Sequence, residues 1–208
     1  MGVPTRHELN PSYARTHLWF ANLLAARQRF HEALAEAPTA LGLDPLSNTI
    51  NGAQGWIRYF MRDHDQAMAG MKKAQEMDPA LRPHAPVVRV AVLAEGHACR
   101  GEFEAALHAN QTPLTLGTLA HAHAVAGNAG CARAMLRDLL EESQRRCVPS
   151  YLVGLTFEAL GERDRAFEWL DRACEELSHW LVFLDVESRF DSLRTDPGFE
   201  ALRRRVGL

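Results

Sequence analysis

The stretch DPLSNTINGAQGWIRYFMRDHDQAMAGMKKAQEMDP, residues 44–79, holds the pattern that decides the fold. It opens and closes on the same dipeptide, Asp44-Pro45 and Asp78-Pro79, and Asn10-Pro11 stands upstream of Asp44-Pro45 by the same interval, thirty-four positions. Asp suits a helix cap. Pro suits the first helical position, where its missing N–H would have no partner anyway. Between the pairs, Ile57, Phe60 and Met61 recur at helical spacing rather than alternating as in a strand. Gly55 and Ala67 lie twelve residues apart. Small residues at that offset, one in each arm of a helical hairpin, let the two helices approach closely. The stretch reads as one hairpin.

Outward from it the same interval returns. It separates Ala33 from Ala67, Ala132 from Ala166, and Gly127 from Gly161. The pairs Ala21/Ala33, Ala94/Ala106, Ala120/Ala132 and Gly154/Ala166 repeat the offset of twelve. A larger side chain at any of these positions would overpack the contact, at about 1–3 kcal/mol. Gly127 and Gly161 suit a tight turn between antiparallel helices. A fixed period of this length points to stacked helical hairpins.

The pattern resembles the tetratricopeptide repeat (TPR) family. The resemblance implies an all-α fold, a right-handed αα-solenoid of about five hairpins with a carboxy-terminal helical cap. Residues 1–11 read as the remnant of a preceding repeat or a linker, because Glu8-Leu9-Asn10-Pro11 matches the repeat end Glu76-Met77-Asp78-Pro79. The start implies either a piece of a longer protein or a worn repeat. Residues 12–177 hold the hairpins, at about 12–43, 46–77, 84–110, 113–145 and 148–177. Residues 178–208 read as the cap, with the apolar run Trp180 to Leu184, then Phe190, Leu193, Phe199 and Leu202, and a last helix opened by Asp196-Pro197. An open end of a stack needs such a cover. The stretch from Tyr151 onward is similar to carboxy-terminal repeats of bacterial multidomain regulators, in which the array follows an effector domain.

Departures from the period locate irregularities. The step from Ala67 to Ala106 is five longer than the period, and the step from Ala106 to Ala132 is eight shorter. The third unit therefore has a longer loop, with Pro83 and Pro86, and a shortened second helix. Gln28 and Arg62 stand where the family usually has glycine. His64 stands where an aromatic such as Phe30 or Phe103 is expected to pack. Pro38 falls inside the second helix of the first unit, where it predicts a kink or break near Leu34 to Pro38.

Composition narrows the function. The chain has 208 residues, 47% apolar and 24% charged, with a net charge of −3. This describes a globular protein rather than a disordered one or a basic nucleic-acid binder. No apolar run approaches the roughly 20 residues of a membrane span, and the amino terminus has no signal-peptide core. Cys99, Cys131, Cys147 and Cys174 form no C-x-x-C pair, which argues against a zinc or disulfide framework and for a cytoplasmic location. His121 and His123 are two apart and point differently on a helix. His97 and His108 fall on different helices. Cys147 follows Arg145-Arg146, but no base or oxyanion site accompanies it. Glu141-Glu142 and Glu175-Glu176 read as solvated faces. No phosphate loop or nucleophile elbow occurs. The expectation is no enzyme, no metal and no cofactor.

What remains is a groove. In this architecture the first helix of each hairpin lines a concave surface. The partner-binding stripe then comprises Arg15, Leu18 and Asn22, Trp56 and Tyr59, Glu95, His121, and Tyr151 with Glu158. Aromatics with scattered polar groups suit a protein or peptide segment. A clamp for carboxylate-ended peptides needs several basic residues, and here only Arg15 qualifies. The alternative is a small-molecule-binding or enzymatic solenoid that uses His121, Glu95, Glu158 and Tyr151. A homodimer through the first hairpin, across Trp19 and Leu23, is the expected assembly, with no nucleic-acid or membrane partner.

Overall fold

The computed structural model describes residues 13–77, 113–143 and 148–208. Every element among them is helical. The chain divides into two compact units, Met1–Leu81 and Arg82–Leu208. In the first unit, α1 (Ala14–Ala26) pairs with α2 (Phe30–Leu43) and α3 (Asn48–Phe60) pairs with α4 (His64–Met77), with α3 packed back on α1 and α2. In the second, α5 (Pro113–Val125) pairs with α6 (Ala129–Glu142) and α7 (Ser150–Ala159) with α8 (Arg163–Glu175), and α5 lies beside α7. Two 3₁₀ segments, His179–Phe183 and Ser188–Leu193, and α9 (Pro197–Val206) follow. The expected third hairpin, residues 84–110, and the remnant at residues 1–11 lie outside the described residues.

The small-residue pairs do what the spacing requires. Ala21, Ala33, Gly55, Ala67, Ala120, Ala132, Gly154 and Ala166 are all buried. A Cβ on Gly154 would lie 2.9 Å from Leu170 Cγ and 3.2 Å from the Ala166 carbonyl oxygen, so α7 and α8 touch through the glycine. Gly52, by contrast, faces open space. The same substitution therefore has opposite signs at the two sites. Gly52→Ala should stabilise α3 by about 0.5–1 kcal/mol, because alanine loses less backbone entropy. Gly154→Ala should cost about 1–2 kcal/mol net, because the backbone oxygen opposite cannot move aside. Thermal melts of the two variants should shift in opposite directions.

All four described hairpin turns share one geometry. Gln28, Arg62, Gly127 and Gly161 have φ of 61°, 66°, 79° and 77°. In each, the next residue's N–H reaches five residues back, as Arg29 does to Leu24 and Glu162 to Phe157, both at 2.9 Å. This is the left-handed helix stop that favours glycine. Gln28 and Arg62 adopt it with a side chain attached, at a cost of about 1–2 kcal/mol each. Leu177, at φ 53°, ends α8 the same way and turns the chain into the tail. His64 packs its ring edge-on against Tyr59, 6.2 Å between centroids, so an imidazole fills the expected aromatic position.

Two local expectations are corrected. Asp44-Pro45 does not open α3. It forms a turn in which the Ser47 N–H bonds to the Asp44 carbonyl, and α3 begins at Asn48. The Asn51 side chain secures that turn by donating to the carbonyls of Pro45 and Ser47, at 3.0 and 2.9 Å. Likewise α2 is not broken at Pro38 but runs on to Leu43. Ala33, Ala37 and Ala40 are buried along one side of α2. Pro38 itself faces outward, so its ring stays off that buried side. At the carboxy end the Asp-Pro rule holds. The Asp196 carboxylate accepts from the Gly198 N–H at 2.8 Å, Pro197 starts α9, and Gly207 at φ 86° stops it.

The tail is part of the core of the second unit. Tyr151, Leu152 and Leu155 of α7 and Leu170 and Ala173 of α8 cluster with Leu181, Leu184, Phe190, Leu193, Phe199 and Leu202. A second cluster joins the hairpins, with Leu136 and Leu139 of α6 against Val153 and Phe157 of α7. Ion pairs tie down α9, where Arg203 bonds to Asp185 at 2.5 and 2.8 Å and Arg205 reaches Asp171.

Candidate functional site

The groove stripe expected from the sequence divides into open and closed positions. In the first unit Arg15 is exposed and Asn22 is half-buried. Trp56 is also half-buried; its ring stacks on Phe60 and meets Tyr59 edge-on, with centroids 5.9 Å away in both cases. Leu18 and Tyr59 are buried, Tyr59 completely. They are not open groove positions: Leu18 clusters with Ala40, Ile50 and Ala53, and Tyr59 is packed among Trp56, Phe60 and His64. Trp19, one residue from Leu18, is instead 65% exposed. Glu95 lies outside the described residues.

In the second unit the stripe is covered. His121, on α5, and Tyr151, on α7, are buried, and Glu158, on α7, is half-buried. Tyr151 and Glu158 meet the segment that opens at Glu187, and His121 lies within the field of its charges. The Tyr151 hydroxyl donates to Glu187 Oε2 at 3.3 Å. Arg189 folds back on the same carboxylate, with Nε 2.9 Å from Oε1 and Nη2 2.6 Å from Oε2. The Arg189 backbone N–H adds a contact to Oε1 at 3.3 Å, and Arg194 donates to the Glu187 carbonyl at 3.1 Å. Both side chains of the ion pair are almost wholly buried. Ser192 donates to the Glu158 carboxylate. Phe190 lies edge-on to Tyr151 at 5.7 Å.

This environment fixes protonation. Burial pushes the His121 imidazole down to about 3, helped by the positive charge of Arg189 and opposed by the negative charge of Glu187. The Tyr151 hydroxyl is raised well above its usual value, first by burial and then by the negative charge of Glu187. Burial also raises the Glu158 carboxyl, against the lowering effect of the Ser192 hydrogen bond. His121 is therefore neutral in the folded chain at pH 5, whereas an unfolded histidine there is mostly protonated. The unfolded state binds the extra proton, so stability falls as pH drops from about 6.5 towards about 3, by about 1.4 kcal/mol per pH unit at most from this residue. His121→Gln should flatten the acid limb of the curve of melting temperature against pH, by about one proton's worth of slope.

Glu187 and Arg189 carry this cluster, and nothing in the repeat period points to them. The signal for them is weak: two opposite charges set between Val186 and Phe190, in a stretch that also carries Asp185, Ser188, Asp191 and Ser192. Among the described residues, no group of three or more His, Cys, Asp or Glu is placed to hold a metal ion. No described helix is long and apolar enough to cross a membrane.

Paired small residues, a repeated left-handed turn and first helices stacked side by side together define the repeat. The hairpins are tetratricopeptide-like. Similar solved structures include YrrB, described as a TPR protein with an unusual peptide-binding site. It is 20% identical over 85% of this chain and 92% of that chain, with a TM-score of 0.47. Another is the Naa15/Naa10 complex bound to HypK-THB, 21% identical over 94% of this chain and 32% of that chain, with a TM-score of 0.36. No protein-family model and no curated protein sequence matches the chain.

Proposed function

We propose that the chain is a non-catalytic scaffold that binds a peptide or protein segment through the first helices of its hairpins. The observation that carries this reading is the accessible stripe on α1 and α3, where Arg15, Asn22 and Trp56 remain in reach of a partner. A half-buried tryptophan supported by two further aromatic rings is a good anchor. It presents a large rigid surface at small entropic cost, and such residues dominate binding energies. The side chains that a catalytic reading needs argue the other way. His121, held down to about 3 by burial and Arg189, is a poor proton acceptor near neutral pH. Tyr151 and Glu158 are engaged by Glu187 and Ser192. As a finer reading, the module serves as the binding part of a larger signalling protein.

The test is selection of a random peptide library on the immobilised chain, followed by Trp56→Ala. Enrichment of a peptide class should be lost in the variant, with truncation of the anchor weakening binding at least tenfold while the melting temperature stays within a few degrees. Enriched peptides that bind Trp56→Ala undiminished would move the surface elsewhere. Failure to enrich any peptide would count against the scaffold reading itself.

A further inference from the structure

The covered stripe of the second unit has a chemical identity. A simple lid on the end of a stack meets the last hairpin alone. Residues 187–193 do more. On α7 they bond to Tyr151 and Glu158, seven residues apart and so on one face of the helix. Beyond α7 they act on α5, one hairpin back, where the charges of both Glu187 and Arg189 are felt by His121. Leu114, also on α5, packs against the cluster that contains Tyr151, Phe190 and Leu193. The segment thus covers the Tyr151–Glu158 face of α7, and α5 lies beside α7 with Leu114 against the same apolar cluster. That is the face on which the first helices of a hairpin stack would receive a peptide.

The segment also has the composition of such a peptide. Phe190 and Leu193 are fully buried anchors three residues apart. Glu187 and Arg189 neutralise each other, so neither charge enters the interface unpaired. Ser192 supplies a directional bond at the far end.

We infer that residues 187–193 are a built-in ligand, which holds the α5–α7 face closed and which a peptide of the same chemistry, an acidic residue followed by a basic–aromatic pair and a leucine, can displace. The displacement rests on the scaffold reading above; the occupancy of the face does not. It follows that the second unit is shut in the isolated chain and that partners without this chemistry are confined to surfaces elsewhere.

The test uses the full chain and a fluorescent peptide copying residues 184–195, LDVESRFDSLRT. Ser192→Ala with Leu193→Ala weakens the segment from its own side, removing its bond to Glu158 and one buried anchor, and leaves Tyr151 and Glu158 unaltered to receive the peptide. The double variant should bind the peptide at least tenfold more tightly than the wild type, and a scrambled peptide should bind neither. Equal binding by wild type and variant would overturn the inference, as would no binding by a variant that keeps its helical circular dichroism. If the variant loses that signal, amide hydrogen exchange on the wild type decides. Excess peptide should speed exchange in residues 187–193 several-fold while α5 and α7 stay protected, and unchanged exchange would overturn the proposal. Library peptides that still bind while the self-peptide fails would sink this inference and leave the scaffold reading standing.

Discussion

Glu187→Ala should destabilise the second unit by about 3–5 kcal/mol, the usual result of leaving a buried charge without its partner. Its carboxylate accepts two bonds from the Arg189 guanidinium, one from the Arg189 backbone and one from Tyr151. Removing it takes the carboxylate away from Arg189 where almost no water reaches to replace it. Replacing the pair together, Glu187→Leu with Arg189→Met, should cost much less than the single change, because no uncompensated charge remains. Urea denaturation of the two variants checks this. A single variant no worse than the double would mean that the pair is not what holds the segment down. The melts should be made above pH 6.5, so that acid destabilisation through His121 does not add to the effect.

Phe157→Ala should lose about 3–5 kcal/mol as well, for a different reason. Phe157 is fully buried on α7, in the cluster formed with Leu136 and Leu139 of α6 and Ala166 of α8. Truncating it leaves a cavity between neighbouring hairpins rather than inside one. Arg165 lies 3.9 Å above its ring and cannot fill that space without burying its charge. In a repeat array, stability is the sum of units and their interfaces, so the loss should be local. Amide exchange should accelerate in α6, α7 and α8, and protection in α1–α4 should stay as it was. Uniform loss across both units would show that the chain unfolds as one block.

Much of the architecture is legible in the residues because it depends on short-range rules. The offset of twelve between Ala21 and Ala33, or Gly154 and Ala166, is a property of two helices meeting at a hairpin, and the spacing alone states it. The turn positions are equally local. Gly127 and Gly161 mark them directly, and the repeat period carries the assignment to Gln28 and Arg62, where composition alone would miss it. Pro38 shows the limit of local rules. Proline predicts a kink or break, but α2 is unbroken through it, with Ala33, Ala37 and Ala40 buried along one side and Pro38 facing outward. Asp44-Pro45 shows it again, since the same dipeptide that starts α9 at Asp196-Pro197 makes only a turn before α3.

The stripe of candidate binding residues is where the reading parts from the structure. Periodicity places Tyr59, His121 and Tyr151 on the first helices, and they are there. It cannot say whether that face is open. Tyr59 is closed by its own neighbours Phe60, Trp56 and His64. Tyr151 is closed by a segment that obeys no repeat and lies 36 residues along the chain from it, and His121 is buried on the helix alongside.

The sequence by itself therefore determined the helical hairpins, their period and their turns, because each follows from contacts within the span of a single repeat. Only the tertiary structure decided which face of α5 and α7 meets solvent. That outcome depends on where a non-repeating tail returns. The return is set by the burial of Phe190, Leu193 and a neutralised Glu187–Arg189 pair against helices distant in the chain, and no local spacing encodes such a contact.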